Sequence, residues 1–165
     1  MKKRASERNE GDCLRDISDG ACYQQLFSDG GFLSGTENFN ITSIFNMDGL
    51  SLYSSSRIEL WPIFMTVNEL EPQKRFARHN IILSGIWQGR GKPPFKQFLH
   101  AFATEMNKLF DNGFEVKYQN QTFCVKLAVL CAVADLPAKA GILNMTLFNG
   151  SEACITCTEP GRVVK

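Results

Sequence analysis

The order of the apolar segments limits the fold of this chain more than any other feature of its sequence. Three strand-like segments come first, at residues 39–47, 60–67 and 81–87; an amphipathic segment at 95–110 and a fourth strand-like segment at 127–134 follow. A crossover that contains a helix joins parallel neighbours in one sheet. The order therefore predicts an α/β domain in which the first and fourth strands are parallel neighbours.

Residues 95–110 carry the clearest helix pattern, because apolar side chains recur there at spacings of three and four. A β-hairpin is expected over residues 114–125, with its turn near Gln119 and Asn120. Turn signals between residues 16 and 35 indicate a short helix and a loop that lead into the domain.

The segment at 127–134 fits two patterns. A buried strand that ends at Asp135, with a helix over residues 138–145, is preferred because Pro137 interrupts the pattern just after the aspartate. A helix through 126–134 is the alternative, since Ala and Leu favour helices. The choice decides whether Asp135 stands at the end of a strand.

Composition favours one folded domain with a substantial core. The 165 residues are 44% hydrophobic and 21% charged, with 13 Phe, which excludes global disorder and low-complexity classes. The second and third strand-like segments are nearly all apolar, which predicts strands that are buried on both faces. Cys124 and Cys131 lie in apolar runs and are expected in the core.

Two of the predicted strands end in aspartate, at Asp48 and Asp135. If these strands are parallel neighbours, both carboxylates lie at one edge of the sheet. Carboxylates held close together repel each other unless a cation lies between them, and oxygen ligands suit Mg2+ or Mn2+. Such a site supports two-metal phosphoryl transfer. The alternative is that each aspartate is a turn or helix-cap residue.

Cys154 and Cys157 form a Cys-x-x-Cys pair after a predicted turn at residues 148–150. Two thiolates at this spacing are half of a tetrahedral Zn2+ site. Three interpretations stay open: a zinc site whose other ligands lie beyond Lys165, a pair without metal, and a redox pair. The redox pair is disfavoured because no thioredoxin-like strand precedes it.

The charge balance gives no field over the whole protein that would attract nucleic acid. There are 18 Lys and Arg against 17 Asp and Glu, so DNA contact requires a local patch. Trp87, Arg90, Lys92 and Lys96 form such a candidate, which could combine phosphate contacts with base stacking, and a solvated loop is the alternative. No apolar run reaches the roughly 20 residues of a membrane span and no signal-peptide core is present, which predicts a soluble intracellular protein without membrane contact.

Short strings over most of the chain follow an order that is typical of one protein family. They are Asp16-Ile-Ser-Asp-Gly20 with Tyr23, Asn46-Met-Asp-Gly49, Ser55-Ser-Arg57, Leu60-Trp-Pro-Ile63, Asn68-Glu-Leu70, Ile81 through Trp87, Gly91-Lys-Pro93, Asp135-Leu-Pro-Ala-Lys139, Phe148-Asn-Gly150, and Cys154-x-x-Cys157 with Pro160-Gly161. Together they resemble the N-terminal part of the catalytic core of CACTA (En/Spm)-type transposases and of the transposase-like proteins that animals carry. The resemblance covers residues 16–161.

The resemblance implies a ribonuclease-H-like fold with a DDE/D triad of carboxylates. Asp48 matches the first acid, Asp135 matches the second, and Cys154 with Cys157 match the cysteine pair that follows the second acid. The resemblance further implies Mg2+ or Mn2+ as cofactor, the DNA of transposon ends and targets as partner, and a nuclear location. It leaves assembly into a homo-oligomer open.

The third acid of the family pattern is expected on a helix after a further strand, and it has no match in this chain. Glu152 and Glu159 flank the cysteine pair in a predicted loop and are poor substitutes. We therefore expect an incomplete ribonuclease-H-like domain at 16–161, with the order strand-strand-strand-helix-strand-helix and without its last strand and helix. Tails are expected at 1–15, which should be disordered, and at 162–165. One hypothesis is a fragment of a metal-dependent DNA transposase that is inactive alone. The other is a non-catalytic transposon-derived remnant that binds DNA or protein.

Overall fold

The computed structural model describes residues 14–34, 39–51, 57–147, 150, 154–155 and 157. Apart from residues 14 and 15, the expected tails lie outside these residues. The elements in chain order are α1 (Ala21–Gln25), β1 (Ile41–Met47), β2 (Leu50–Ser51), β3 (Ile58–Val67), α2 (Pro72–Arg75), β4 (Ile82–Arg90), α3 (Phe95–Asp111), β5 (Phe114–Tyr118), β6 (Gln121–Val125), β7 (Leu127–Val133) and α4 (Leu136–Leu143). None of the described helices is both long enough and apolar enough to cross a membrane.

Five strands form a mixed sheet in which β1 has β3 and β7 as its neighbours. β3 pairs antiparallel with β2 and with β4. The Ile41 amide donates to the Lys126 carbonyl at the start of β1, and the Asn46 side chain donates to the Val133 carbonyl near the end of β1. Since the two starts pair and the two ends pair, β1 and β7 run in the same direction. The predicted parallel pairing of the first and fourth strands is confirmed.

β5 and β6 form a separate two-stranded antiparallel sheet. The turn residues Gln119 and Asn120 have φ values of 47° and 63°. Positive φ at both central residues belongs to the turn type whose twist matches that of the flanking strands. The predicted hairpin over 114–125 and its turn are therefore confirmed, and so is the helix that precedes them.

β7 is a strand, so the alternative helix through 126–134 is wrong. Its backbone pairs with β1, which a helix could not do. Asp135 follows as the N-cap of α4, where its side chain accepts a hydrogen bond from the Ala138 amide at 2.8 Å. Pro137 lies in the first turn of α4, where the missing N–H needs no partner. The helix thus begins two residues before the expected position.

β4 is more exposed than its sequence predicts. In the described part of the sheet β4 pairs only with β3, and Ile82, Leu83 and Ile86 are 45–54% exposed. The expectation of burial on both faces is therefore wrong for β4. Cys124 and Cys131 are exposed rather than in the core. An apolar run shows that a residue can be buried, whereas the element that covers it is decided by tertiary structure.

The chain divides into two compact units, each with aromatic packing of its own. Unit 1 is drawn from Met1–Ile44, Thr66–Ile81 and Met106–Leu130. Within it, the ring of Phe32 stacks on Phe110 at 5.3 Å and the ring of Phe39 meets Phe123 at 4.5 Å. These rings join the segment before β1 to the end of α3 and to the hairpin.

Unit 2 is drawn from Phe45–Met65, Ile82–Glu105 and Cys131–Lys165. Its core holds Met47, Trp61, Ile63 and Met65, all at most 4% exposed. The ring of Phe102 in α3 packs on Phe45 of β1, with centroids 5.0 Å apart. The apolar stripe of α3 therefore covers the sheet of this unit, as the helical spacing of its Phe residues predicts.

Candidate functional site

Asp48 and Asp135 follow the ends of two neighbouring parallel strands. Asp48 comes one residue after β1, and Asp135 comes two residues after β7. The Asn46 side chain ties these strand ends together by a hydrogen bond of 2.9 Å to the Val133 carbonyl. Both aspartates belong to unit 2. The two acids are predicted to converge at the strand ends, and the parallel pairing of β1 and β7 is the topology that this prediction requires.

Each of these carboxylates keeps an oxygen that no described residue engages. Asp48 accepts from the Gly49 amide through Oδ1 at 2.8 Å, and Asp135 accepts from the Ala138 amide through Oδ1 at 2.8 Å. Both side chains are exposed. Carboxylate oxygens that face solvent are ligands that Mg2+ and Mn2+ accept, so the residues fit the predicted cation. The helix-cap alternative for Asp135 also holds, because one oxygen caps while the other stays open.

Gly49, the residue after Asp48, lies against a tryptophan of β3 that is hydrogen-bonded to a glutamate of the same strand. The indole N–H of Trp61 donates to Oε2 of Glu59 at 2.8 Å. The Trp61 ring lies against Gly49, and a Cβ added at Gly49 would be 2.6 Å from the ring. Only the string Leu60-Trp-Pro-Ile63 in the family resemblance pointed to this tryptophan, and it did not assign a role.

The predicted DNA surface follows β4 into α3. Arg90 ends β4, Lys92 lies in the connection and Lys96 is in the first turn of α3, and all three are exposed without an acidic partner among the described residues. Trp87 is half-buried, pairs with Trp61 across β3 and β4, and covers Gly89. Trp87 therefore takes part in the packing of unit 2, and the three cations supply the accessible charge.

In unit 1, a second group of acidic side chains accepts hydrogen bonds from other residues of the chain. Arg75 is 2% exposed and donates to both oxygens of Asp16, at 2.6 and 2.9 Å. Its Nη2 also donates to the backbone carbonyls of Asn68 and Leu70. This bidentate pair connects the segment before α1 to the segment after β3.

Glu69, which follows β3, links α1 to β1. It accepts from the Tyr23 hydroxyl at 3.0 Å, from the Thr42 hydroxyl at 2.7 Å and from the Thr42 amide at 2.9 Å. Burial, followed by the charge of Glu69, raises the pKa of Tyr23. The polar residues involved were absent from the predicted core, although the resemblance contained the strings Asp16 to Gly20 and Asn68 to Leu70.

A family model described as transposase family tnp2 matches residues 13–165. The chain belongs to this family. The function of this tnp2-family protein is therefore related to transposition, which implies DNA as its partner. No curated protein and no solved structure matches the chain.

The zinc site expected at the cysteine pair of this tnp2-family chain remains a prediction. Cys154 and Cys157 are exposed, and most of their neighbours lie outside the described residues. Glu152 and Glu159 also lie outside them. Within the ranges that the structure does describe, no three His, Cys, Asp or Glu side chains group together in a way that could hold a metal ion. The candidate site thus consists of two carboxylates.

Proposed function

We propose that this protein forms part of the ribonuclease-H-like core of a CACTA-type transposase, in which Asp48 and Asp135 hold Mg2+ or Mn2+ for cleavage and strand transfer of DNA. The parallel pairing of β1 and β7, each followed by an aspartate, is the observation that supports this proposal most strongly. The sheet order and the crossover through α3 are compatible with the ribonuclease-H-like assignment. Action on chromosomal DNA would make the nucleus its location.

The two aspartates have the chemistry that the proposal needs. Asp48 and Asp135 would hold the cations, and a pair of divalent ions bound there would supply activation of a water or a 3'-hydroxyl and stabilisation of the leaving oxygen. The chain itself supplies two charged oxygen ligands whose backbones are fixed by the sheet and by the cap of α4. With only two protein ligands, most of the coordination falls to water, so we expect weak binding.

Titration with Mn2+, followed by the electron paramagnetic resonance signal of the free ion, tests the cation site. Asp48→Asn and Asp135→Asn should each weaken binding by more than the roughly tenfold that loss of an outer-shell partner costs. Asp111→Asn is the control, because Asp111 is an exposed acid at the end of α3. Equal binding by wild type and all three variants would exclude the site.

DNA contact through the β4–α3 connection is the second part of the proposal. Arg90, Lys92 and Lys96 are exposed cations that phosphates can approach. Fluorescence anisotropy with duplex DNA at several salt concentrations should show that Lys92→Ala and Lys96→Ala each reduce the log–log salt slope by about 1. Lys117→Ala, on exposed β5, should leave the slope unchanged. A slope that does not respond to Lys92 or Lys96 would contradict this surface.

A non-catalytic DNA- or protein-binding remnant is the competing function. It is favoured by the lack of a third acidic ligand near Asp48 and Asp135 in the described part of the chain. The two functions differ in their dependence on metal. DNA affinity that is identical with Mn2+ and with a chelator, in a protein without a Mn2+ signal, would favour the remnant.

Zinc at Cys154 and Cys157 is a separate proposal. Two thiolates fill half of a tetrahedral shell, so the chain should bind Zn2+ weakly or share one ion between two chains. Mass spectrometry under non-denaturing conditions should find less zinc in Cys154→Ser and Cys157→Ser than in wild type. Cys22→Ser is the matched control, since Cys22 is an exposed thiol in α1. Equal zinc content in all four proteins would exclude the site.

A further inference from the structure

Four residues of unit 2 contact one another in series and form a column that has a glycine at each end. At one end, Trp61 is 4% exposed and its ring lies against Gly49, where a Cβ would approach the ring to 2.6 Å. Phe95, at the start of α3, meets the Trp61 ring edge-to-face, with centroids 5.3 Å apart and an interplanar angle of 88°. At the other end, a Cβ added at Gly141 in α4 would overlap the Phe95 ring.

The ends of this column adjoin the two candidate metal ligands. Gly49 is the residue after Asp48, and its amide donates to the Asp48 carboxylate. Gly141 lies in α4, the helix that Asp135 caps. In between, Glu59 accepts the indole N–H of Trp61 and thereby fixes the rotation of the ring.

We propose that the column Gly49–Trp61–Phe95–Gly141 sets the separation of Asp48 and Asp135, and that its four members are positioning residues for the cation site. This inference rests on the proposed function, because the separation matters only if the two carboxylates share a cation. The Trp61 ring is buried and the Phe95 ring is half-buried, and a closely packed interior has few voids into which a displaced ring could retreat. A shift of α4 at Gly141 should therefore reach the turn at Gly49.

Both end residues of the column are glycines, which fits their proposed role as positioning residues. Glycine in a helix interior is normally less favourable than alanine, so Gly141 gains nothing from its position in α4 except the space that the Phe95 ring fills. Gly49 does not have a positive φ, so its backbone conformation does not require glycine either. At both positions an aromatic ring fills the space that a side chain would need.

Alanine substitution at the two glycines tests the column. Helix propensity alone predicts that Gly141→Ala raises the Tm, whereas the column predicts a Tm lower by several degrees and Mn2+ binding weakened by about tenfold. Gly49→Ala should act in the same direction. Gly85→Ala is the matched control in the same unit, because a Cβ there would lie 3.6 Å from Ile63, an ordinary contact. In a Phe95→Leu background, Gly141→Ala should lower the Tm much less, because the ring that the new Cβ would overlap is absent.

A metal-free measurement separates this inference from the proposed function. The amide of Gly49 and the indole N–H of Trp61 are to be followed by two-dimensional NMR in Gly141→Ala and in Gly85→Ala. We expect both signals to shift in Gly141→Ala and to stay in place in Gly85→Ala. If they stay in place in both variants, or if Gly141→Ala raises the Tm, the column does not couple the two acids and the inference is overturned. If they shift while the wild type binds no Mn2+, the coupling stands and the proposed cation site fails.

Discussion

The acids of the two units differ in what their oxygens contact. In unit 1, both oxygens of Asp16 receive hydrogen bonds from Arg75, and both oxygens of Glu69 receive hydrogen bonds from Tyr23 or Thr42. In unit 2, Asp48 and Asp135 are exposed, and one backbone amide engages each of them. A carboxylate whose oxygens are all engaged by the chain can contribute only to stability. A carboxylate with an open oxygen can also bind a ligand.

Acidic residues that look equal in the sequence therefore fall into two groups. Asp16, Asp48 and Asp135 all stand beside turns or helix starts, where acids are common. Substitution of the engaged acids and their partners should therefore change the free energy of unfolding, whereas substitution at the strand ends should mainly change ligand binding. Four predictions test this division, and the change that they predict decreases from the first to the last.

The strongest test is the loss of the buried cation in unit 1. Arg75→Met leaves Asp16 without its bidentate partner, and we expect the free energy of unfolding to fall by about 3–5 kcal/mol in urea titrations. The neighbouring Lys74 provides the control, because its 3.7 Å pair with Glu71 is 69% and 57% exposed. Lys74→Met should cost at most about 1 kcal/mol. Similar losses in both variants would contradict the assignment of Arg75 to a buried network.

Glu69→Gln should have the next largest effect. The Thr42 hydroxyl and the Thr42 amide donate to different oxygens of Glu69, and Gln has an NH2 group in place of one of them, so at least one of these donors loses its acceptor. We expect a loss of about 1–3 kcal/mol in the free energy of unfolding. Asp48→Asn, which removes an exposed charge, should change this free energy by at most about 0.5 kcal/mol. If Asp48→Asn proves the more costly of the two, the division between the units is wrong.

The third prediction concerns alkaline pH. Burial and Glu69 raise the pKa of Tyr23, so the folded protein keeps the phenol proton at a pH where the unfolded chain loses it. Stability should therefore fall above the ordinary tyrosine pKa of about 10, by about 1.4 kcal/mol for each pH unit. Urea titrations between pH 8 and pH 11 should show a steeper fall for wild type than for Tyr23→Phe. Parallel profiles would show that Tyr23 is not protected.

The smallest effect is expected at the cap of α4. Asp135→Ala removes the side chain that accepts from the Ala138 amide and should cost about 1 kcal/mol of stability. Asp135→Asn keeps a good N-cap and should cost only a few tenths. Both variants should nevertheless lose Mn2+ binding, which would separate the cap from the cation site. If Asp135→Asn binds Mn2+ like the wild type, Asp135 is a cap residue alone.

The sequence predicted those features of the fold that local periodicity encodes. The alternation in β1, the spacing of the Phe residues in α3 and the turn at Gln119 and Asn120 each depend on neighbours within a few residues. The parallel pairing of β1 and β7 also followed, because the crossover rule turns element order into topology. The same pairing identifies Asp48 and Asp135 as neighbours at one edge of the sheet from the sequence alone.

The sequence could not predict contacts between distant polar residues. Asp16 and Arg75 are 59 positions apart, and Tyr23 and Glu69 are 46 apart. Each lies in a segment whose composition is typical of exposed turns, so no local pattern separates a buried ion pair from a solvated one. The same limit explains β4, because its apolar residues do not reveal that β3 is its only partner in the described sheet.

The uncovered side of β4 has a practical consequence for work with this protein. From Ile82 to Gly89 the strand carries no charged residue, and within the described sheet one of its edges has backbone groups that no other strand pairs. Such an edge is a template on which another chain can add a strand, and natural proteins often protect it with an outward lysine. Concentrated samples should therefore tend to precipitate through this strand. Ile86→Lys, at an exposed position of β4, is the first substitution to make for a protein that stays in solution.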